Sequence, residues 1–342
     1  MGNMKKHPYR VTAVDIKEES TLSIKLGIVM DPIADINIKK DTSFAMLLTA
    51  QSRGYELFYI EMSGLYLDKG HPRALTQPLS VKRDPDNFFT LGEQQNIGLD
   101  ELDVILMRKD PPFDSEFLYS TQIMQQAEEL GTLVVNKTQA LRDFNEKLAT
   151  SFFPELIPDT LVTQDSSLIR AFHAKHEDII CKPLDGMGGA SIFRVKEDGN
   201  NLGVIIETLT ANNTRYAMFQ EYLPAIKDGD KRILIVDGEV MPYCLARLPS
   251  AGETRGNLAA GGTGRPQPIS ESDRKLAETV APVLRQQGLL FIGLDVIGDR
   301  ITEINVTSPT CVQEIEAAFD IDITGKLFDA IEKCLKSPNK GL

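Results

Sequence analysis

The sequence predicts an α/β chain in two parts, an open parallel sheet over residues 24–146 followed by an α+β unit over residues 147–337. Three observations carry this. Strand and helix patterns alternate from residue 24 to residue 135, hairpins and a mixed order replace them after residue 146, and 342 residues are too many for one small core.

In the first part, residues 24–30 (IKLGIVM) form an apolar run with the character of a buried strand. Asp41 is placed to cap a helix running through Phe44, Met46, Leu47 and Leu48 to Gly54, and residues 55–60 (YELFYI) follow as a second strand, giving a βαβ unit. Residues 103–107 (DVILM) make a third strand, residues 114–130 have helical spacing, and Gly131 ends that helix before a strand at residues 133–135. Ligands on such sheets sit beyond the carboxyl ends of the strands, which singles out the loop after Met30 and the pair Arg108 and Lys109. Solvated loop charges are an equal reading of that pair.

In the second part, Lys147 falls within residues 142–149 (RDFNEKLA), which read as helix, and by itself it is an ordinary surface lysine. Residues 160–219 then read strand, helix, strand, loop, strand, helix, strand. The loop is the informative stretch. A short strand at residues 178–182 ends in Lys182, Pro183 keeps the chain extended, and Gly186, Gly188 and Gly189 free backbone N–H groups to converge on an anion. A lysine beside such a loop fits nucleotide phosphate, although neither the Walker A spacing nor G-x-G-x-x-G is present and a plain turn is the blander alternative. Residues 232–236 and 239–248 flank Asp237-Gly238 as a hairpin, residues 249–264 are a glycine-rich mobile loop, and Ser270 with Asp273 caps a helix to residue 287. Glu303 and Asn305, two apart on a strand, share a face, while Asp295 interrupts the apolar strand beside them; together they suit an oxygen-ligated Mg2+, against the alternative of a wet hairpin face. If Asp295 and Glu303 lie opposite each other, the connecting loop has an odd count, simplest as residues 298–300 with a bulge. Two helices, residues 312–319 and 323–335, close the chain.

Composition narrows the function. A formal charge of −12, from 49 acidic and 37 basic residues, disfavours a nucleic-acid partner, and a mean hydropathy of −0.16 with no long apolar run disfavours a membrane span. Cys181, Cys244, Cys311 and Cys334 are scattered without metal or disulfide spacing, which fits reduced thiols in the cytoplasm. Residues 1–23 lack the apolar core of a secretory signal, and Lys6 stands where myristoylation needs Ser or Thr, so they read as an extension outside the fold.

Taken in order, Lys147, Lys182 with its glycine loop, residues 220–223 (QEYL), Asp230, Arg232, Asp295, Glu303 and Asn305 resemble the ATP-grasp ligases. Residues 24–33, 105–113 (ILMRKDPPF), 182–191 (KPLDGMGGAS), 252–262 (GETRGNLAAGG) and 302–309 (TEINVTSP) are similar to one family within them, the prokaryotic glutathione synthetases. The resemblance implies a substrate-binding domain over residues 24–146, an ATP-grasp catalytic domain over 147–337 and a lid at 248–264. It implies that γ-glutamylcysteine and glycine are joined with ATP through an acyl phosphate in a cytoplasmic tetramer. ATP would be bound by Lys147, Lys182, Gly186, Gly188, Gly189, Gln220, Glu221, Tyr222, Leu223 and Asp230, and Mg2+ or Mn2+ by Asp295, Glu303 and Asn305. Arg232, Arg247 and Arg255 would be catalytic, while Arg108, Lys40 and Asn305 would contact substrate. Another ATP-grasp carboxylate–amine ligase, or a non-catalytic ATP-binding module, is the alternative.

Overall fold

The computed structural model describes residues 23 to 337 except 254, 259 and 260, so the expected extension lies outside the described residues but for Ser23. Strand β1 (Lys25–Val29), helix α1 (Thr42–Ser52) and strand β2 (Glu56–Ile60) form the expected βαβ unit, the strands parallel from Lys25↔Glu56 to Val29↔Ile60. Asp41 caps α1 by accepting from the Phe44 amide at 2.6 Å. Four further strands, β3 (Leu65–Asp68), β4 (His71–Val81), β5 (Phe89–Leu91) and β6 (Gln95–Gly98), extend the sheet in antiparallel fashion, with β4 pairing β2, β3, β5 and β6. The sequence pattern does not mark these four strands. The β3–β4 turn is Lys69-Gly70, with φ of 51° and 83°, in place of the Asn-Gly or Asp-Gly pair that marks most such turns, and Pro72 and Pro78 mask the alternation of β4.

Strand β7 (Val104–Met107), helix α2 (Ser115–Glu129), strand β8 (Leu133–Val135) and helix α3 (Thr138–Asp143) complete this unit. The sheet order is β3-β4-β2-β1-β7-β8, and β2, β1, β7 and β8 run parallel, so Asp31 and Arg108 emerge at the same edge. Lys147 is not in a helix over residues 142–149. Asn145 accepts from the amides of Lys147 and Leu148 at 3.2 and 3.0 Å, which replaces helical hydrogen bonding after Asp143 and leaves Lys147 in a turn.

The second part is α+β, as expected. A small antiparallel sheet, ordered β11-β10-β12-β9, is built from β9 (Thr160–Thr163), β10 (Ile179–Pro183), β11 (Phe193–Val195) and β12 (Ala217–Glu221), with α4 (Ser166–His176) and α5 (Leu202–Thr210) packed on it. A second sheet, ordered β15-β14-β13-β16-β17, comprises β13 (Asp230–Val236), β14 (Glu239–Leu248), β15 (Thr263–Pro268), β16 (Phe291–Ile297) and β17 (Arg300–Asn305). Helices α6 (Glu271–Gln286), α7 (Val312–Ala318) and α8 (Ile323–Leu335) cover it. Leu248↔Thr263 and Arg247↔Gly264 pair, so both ends of the expected loop belong to the sheet.

Two apolar clusters join the N-terminal sheet to the five-stranded sheet, one through Met107, Phe117 and Ile233, the other through Leu26, Leu234 and Phe328. The small sheet has its own core around Ile169, Ile179 and Phe219. With no shared core, the small lobe overhangs the rest and leaves a cleft. Buried Asn136 locks the larger body: its amide oxygen accepts from Leu290 and Phe291 amides at 2.8 and 2.9 Å, and its amide nitrogen donates to the carbonyls of Phe291 and Val306 at 2.8 and 2.7 Å.

Asn136→Ala would strand these buried backbone groups, each at about 1–3 kcal/mol. Denaturant unfolding is expected to show a loss of roughly 3 kcal/mol or more; a loss below about 1 kcal/mol would show that the joint does not depend on this side chain.

Candidate active site

The site begins with register. In the five-stranded sheet Asp230 pairs with Arg247, Arg232 with Asp295, and Asp295 with Glu303, so charged side chains line up across β14, β13, β16 and β17. The expected opposition of Asp295 and Glu303 holds, but its means differ. Ile297 pairs with Arg300 across a two-residue turn, Gly298-Asp299, and Val296 pairs with Ile301, so the odd residue is Thr302, bulged within β17. Gly298 has φ of 62° at the first turn position, which favours the two-residue turn.

Asp295 is 2 % exposed and grips both arginines. Arg232 donates to it through Nε and Nη2 at 2.5 and 3.1 Å, and Arg247 Nη2 lies 2.8 Å from its second oxygen. Burial alone would raise this carboxyl; the two guanidinium groups overcome it and hold the group well below the usual carboxylate range. Arg247 also donates to Asp230 at 2.5 Å. Burial pushes the Asp230 carboxyl up to about 6 against the pull of Arg247, with Asp295 and Glu303 adding to the rise. Gly293 makes room for this packing, since a Cβ there would stand 2.9 Å from Arg232 Cδ.

The lysines arrive from the other side. Lys182, 4 % exposed, leaves the end of β10, donates to the Thr302 carbonyl at 3.3 Å and lies 3.8 Å from Glu303. Lys147 donates to the Gly186 carbonyl at 2.7 Å and lies 3.5 Å from Glu303. Burial draws the Lys182 amine below its ordinary pKa, and Glu303 resists that.

Two cavities meet here. The first, about 660 Å³ and open to solvent, lies between the small sheet and the five-stranded sheet and has Lys182, Gln220, Glu221, Tyr222, Leu223 and Asp230 on its walls, with Asp295, Glu303 and Arg255 at one end. Its size suits a mononucleotide. The second, about 760 Å³, is lined by Gly186, Gly188, Arg232, Arg247 and Asn305, with Glu146, Asp110 and Ser308. Glu303 and Asn257 belong to both. The glycine loop closes the junction: Gly189 has φ of 83°, its carbonyl accepts from Arg255 at 3.1 Å, and a Cβ on it would lie 2.8 Å from Asn257.

Not every expected residue reaches a wall. Lys40 is exposed and lines neither cavity. Arg108 is buried, donates to Ser43 and to the Pro309 carbonyl at 3.0 and 2.8 Å, and is pushed down to about 10 by burial. It sits one residue behind Ser308, in a neighbouring pocket. Sequence reasoning missed Glu146 and Asn257; adjacency to Lys147 and to the glycine-rich stretch around Arg255 was the only signal for either.

Against a cation, the donors are mixed. Glu303 and Asn305 offer oxygens into the second cavity, and Asn305 spends only its nitrogen, on the Gly293 carbonyl at 3.2 Å, whereas both Asp295 oxygens already face arginine. All are hard oxygen donors, the chemistry Mg2+ takes. Among the described residues no cluster of three or more His, Cys, Asp or Glu forms a ready metal cage.

Residues 24–142 match the N-terminal domain of prokaryotic glutathione synthetase, and residues 146–320 match its ATP-grasp domain. This chain belongs to the prokaryotic glutathione synthetase family. It is 67% identical over 313 residues to the glutathione synthetase of Yersinia pestis, covering 91% of this chain and 98% of that one. It is 65% identical to the glutathione synthetase of Escherichia coli K12, covering 92% and 99%. Among solved structures it shares the fold of D-cycloserine synthetase DcsG (TM-score 0.63, 14% identity, 91% and 100% covered) and of the ATP-grasp ligase PsnB (TM-score 0.60, 20% identity, 91% and 98% covered). As a member of this family the chain is an ATP-dependent ligase with an ATP-grasp domain.

Lys182→Ala is expected to leave thermal unfolding near that of the parent and to lower turnover roughly 10²- to 10³-fold, because a cation aimed at the phosphates counts most when charge shifts. Steady-state assay checks it; turnover within about threefold of the parent would remove Lys182 from the phosphate site.

Proposed function

We propose that the protein joins γ-glutamylcysteine to glycine, with ATP as the phosphoryl donor, and releases glutathione, ADP and phosphate. One observation supports this most: Glu303 stands where a nucleotide-sized cleft meets a second, arginine-lined cavity, so a phosphoryl group from one can reach a carboxylate in the other. Gln220, Glu221, Tyr222 and Leu223 are proposed to hold adenine, Asp230 the nucleotide near its sugar, and Lys147, Lys182 and the loop of Gly186, Gly188 and Gly189 the phosphates. Mg2+, or Mn2+ in its place, would be held by Glu303 and Asn305 backed by Asp295, and would offset charge on the phosphate oxygens.

The chain's own groups do the rest. The dipeptide carboxylate attacks the terminal phosphorus, ADP departs, and the acyl phosphate forms between Arg232 and Arg247, whose positions Asp295 fixes. Arg108, buried and with no carboxylate within ion-pair distance among the described residues, is proposed to take a carboxylate of the dipeptide where its pocket adjoins the second cavity at Thr307. The connection between Leu248 and Thr263, carrying Arg255, is proposed as a lid that keeps water from the acyl phosphate. A cytoplasmic tetramer completes the proposal, supported by four free, buried cysteines, by the absence among described residues of any helix long and apolar enough to cross a membrane, and by family resemblance for the assembly.

Phosphate release distinguishes this from other ligations. It is expected to need γ-glutamylcysteine and glycine together, with little from either alone. Equal release with D-alanine or glutamate as the amine, or ATP turnover independent of any amine, would contradict the assignment.

A further inference from the structure

Glu146 is a carboxylate whose two oxygens have different lives. Oε1 is saturated: it accepts from the Val306 amide at 2.9 Å, the Thr307 amide at 3.1 Å and the Thr307 hydroxyl at 2.8 Å. These bonds fix the turn that follows β17. Oε2 has no hydrogen-bond partner among the described residues, and no lysine or arginine there comes within ion-pair distance of either oxygen. Yet Glu146 forms part of the wall of the second cavity, with Arg232 and Arg247.

The other acids around it are provided for. Glu303 has two lysines, Asp295 two arginines, and Asp230 has Arg247, each within ion-pair distance. Burial pushes the Glu146 carboxyl up, the Thr307 hydrogen bonds and the field of Lys147 pull it down and Glu303 adds to the rise, so an oxygen with no cation in contact is left facing the cavity. An arriving cation would offset the burial.

Given the ligation proposed above, we infer that Glu146 receives the ammonium of the incoming amino acid on Oε2 and aims its nitrogen at the acyl carbon. The dipeptide's own ammonium belongs to the γ-glutamyl end, remote from the carboxylate that reacts, whereas Glu146 lies at the phosphoryl end beside Lys147 and Glu303. The nitrogen attacks as the free amine: the C–N bond forms, the C–O bond to phosphate breaks with its electron pair leaving on phosphate, and of the two protons shed one ends on phosphate and one in solvent.

Glu146→Gln tests this, because the amide keeps an oxygen for the Val306 and Thr307 donors while losing the charge. In the full-length protein with ATP, Mg2+ and γ-glutamylcysteine, the KM for glycine is expected to rise roughly tenfold to a hundredfold while the KM values for ATP and dipeptide stay near those of the parent. Hydroxylamine, a small nucleophile that is mostly uncharged near neutral pH, is expected to trap the acyl phosphate as hydroxamate at nearly the parent rate. A glycine KM within about threefold of the parent, a rise in the dipeptide KM instead, or equal losses with glycine and hydroxylamine would overturn the role of Glu146. If the parent itself makes no glutathione, the ligation proposal fails, and this inference with it.

Discussion

A carboxylate almost sealed from water, Asp295, sits between two guanidinium groups, and the geometry of the site depends on it. Arginine side chains are long and lose much freedom when fixed; a central anion with bidentate geometry from one side and a single contact from the other supplies the restraint. Removing it would leave Arg232 and Arg247 repelling each other in a poorly hydrated place. The sheet makes the arrangement possible, because cross-strand neighbours on β13, β14, β16 and β17 present these groups without any loop having to order.

Around that pair the charges nearly balance. Within the ion-paired group, Arg232, Arg247, Lys147 and Lys182 stand against Asp230, Asp295 and Glu303, and Glu146 and Asp110 on the second cavity's wall offset that surplus, in a chain whose formal charge is −12. Opposite charges in contact let such a site tolerate its own burial. Glu303 is the pivot: Lys147 and Lys182 both lie within ion-pair distance of it, and it belongs to both cavities. Charge at the junction is therefore held by the sheet, whereas the glycine loop is met by Arg255, which donates to the Gly189 carbonyl.

Much of this was legible in the sequence because it rests on short-range rules. Two-residue spacing put Glu303 and Asn305 on one face, an acid in an apolar strand flagged Asp295, and Asp41 and Ser270 capped the helices they precede. What stayed hidden depends on distant partners. Lys147 looked helical until Asn145 turned its side chain onto the following amides; the bulge at Thr302 is visible only in pairing; Glu146 acquires its character from Val306 and Thr307, 160 and 161 residues away. Strands β3 to β6 escaped because prolines and a Lys-Gly turn carry weak signals, not because their faces fail to alternate.

In the proposed ligation one oxygen of the dipeptide carboxylate becomes a phosphate oxygen, because that carboxylate would attack phosphorus. Heavy oxygen placed in the cysteinyl carboxylate of γ-glutamylcysteine, followed by mass analysis of the released phosphate, reads this out. One labelled oxygen is expected in the phosphate for each amide bond formed; unlabelled phosphate alongside normal glutathione formation would contradict the acyl-phosphate route.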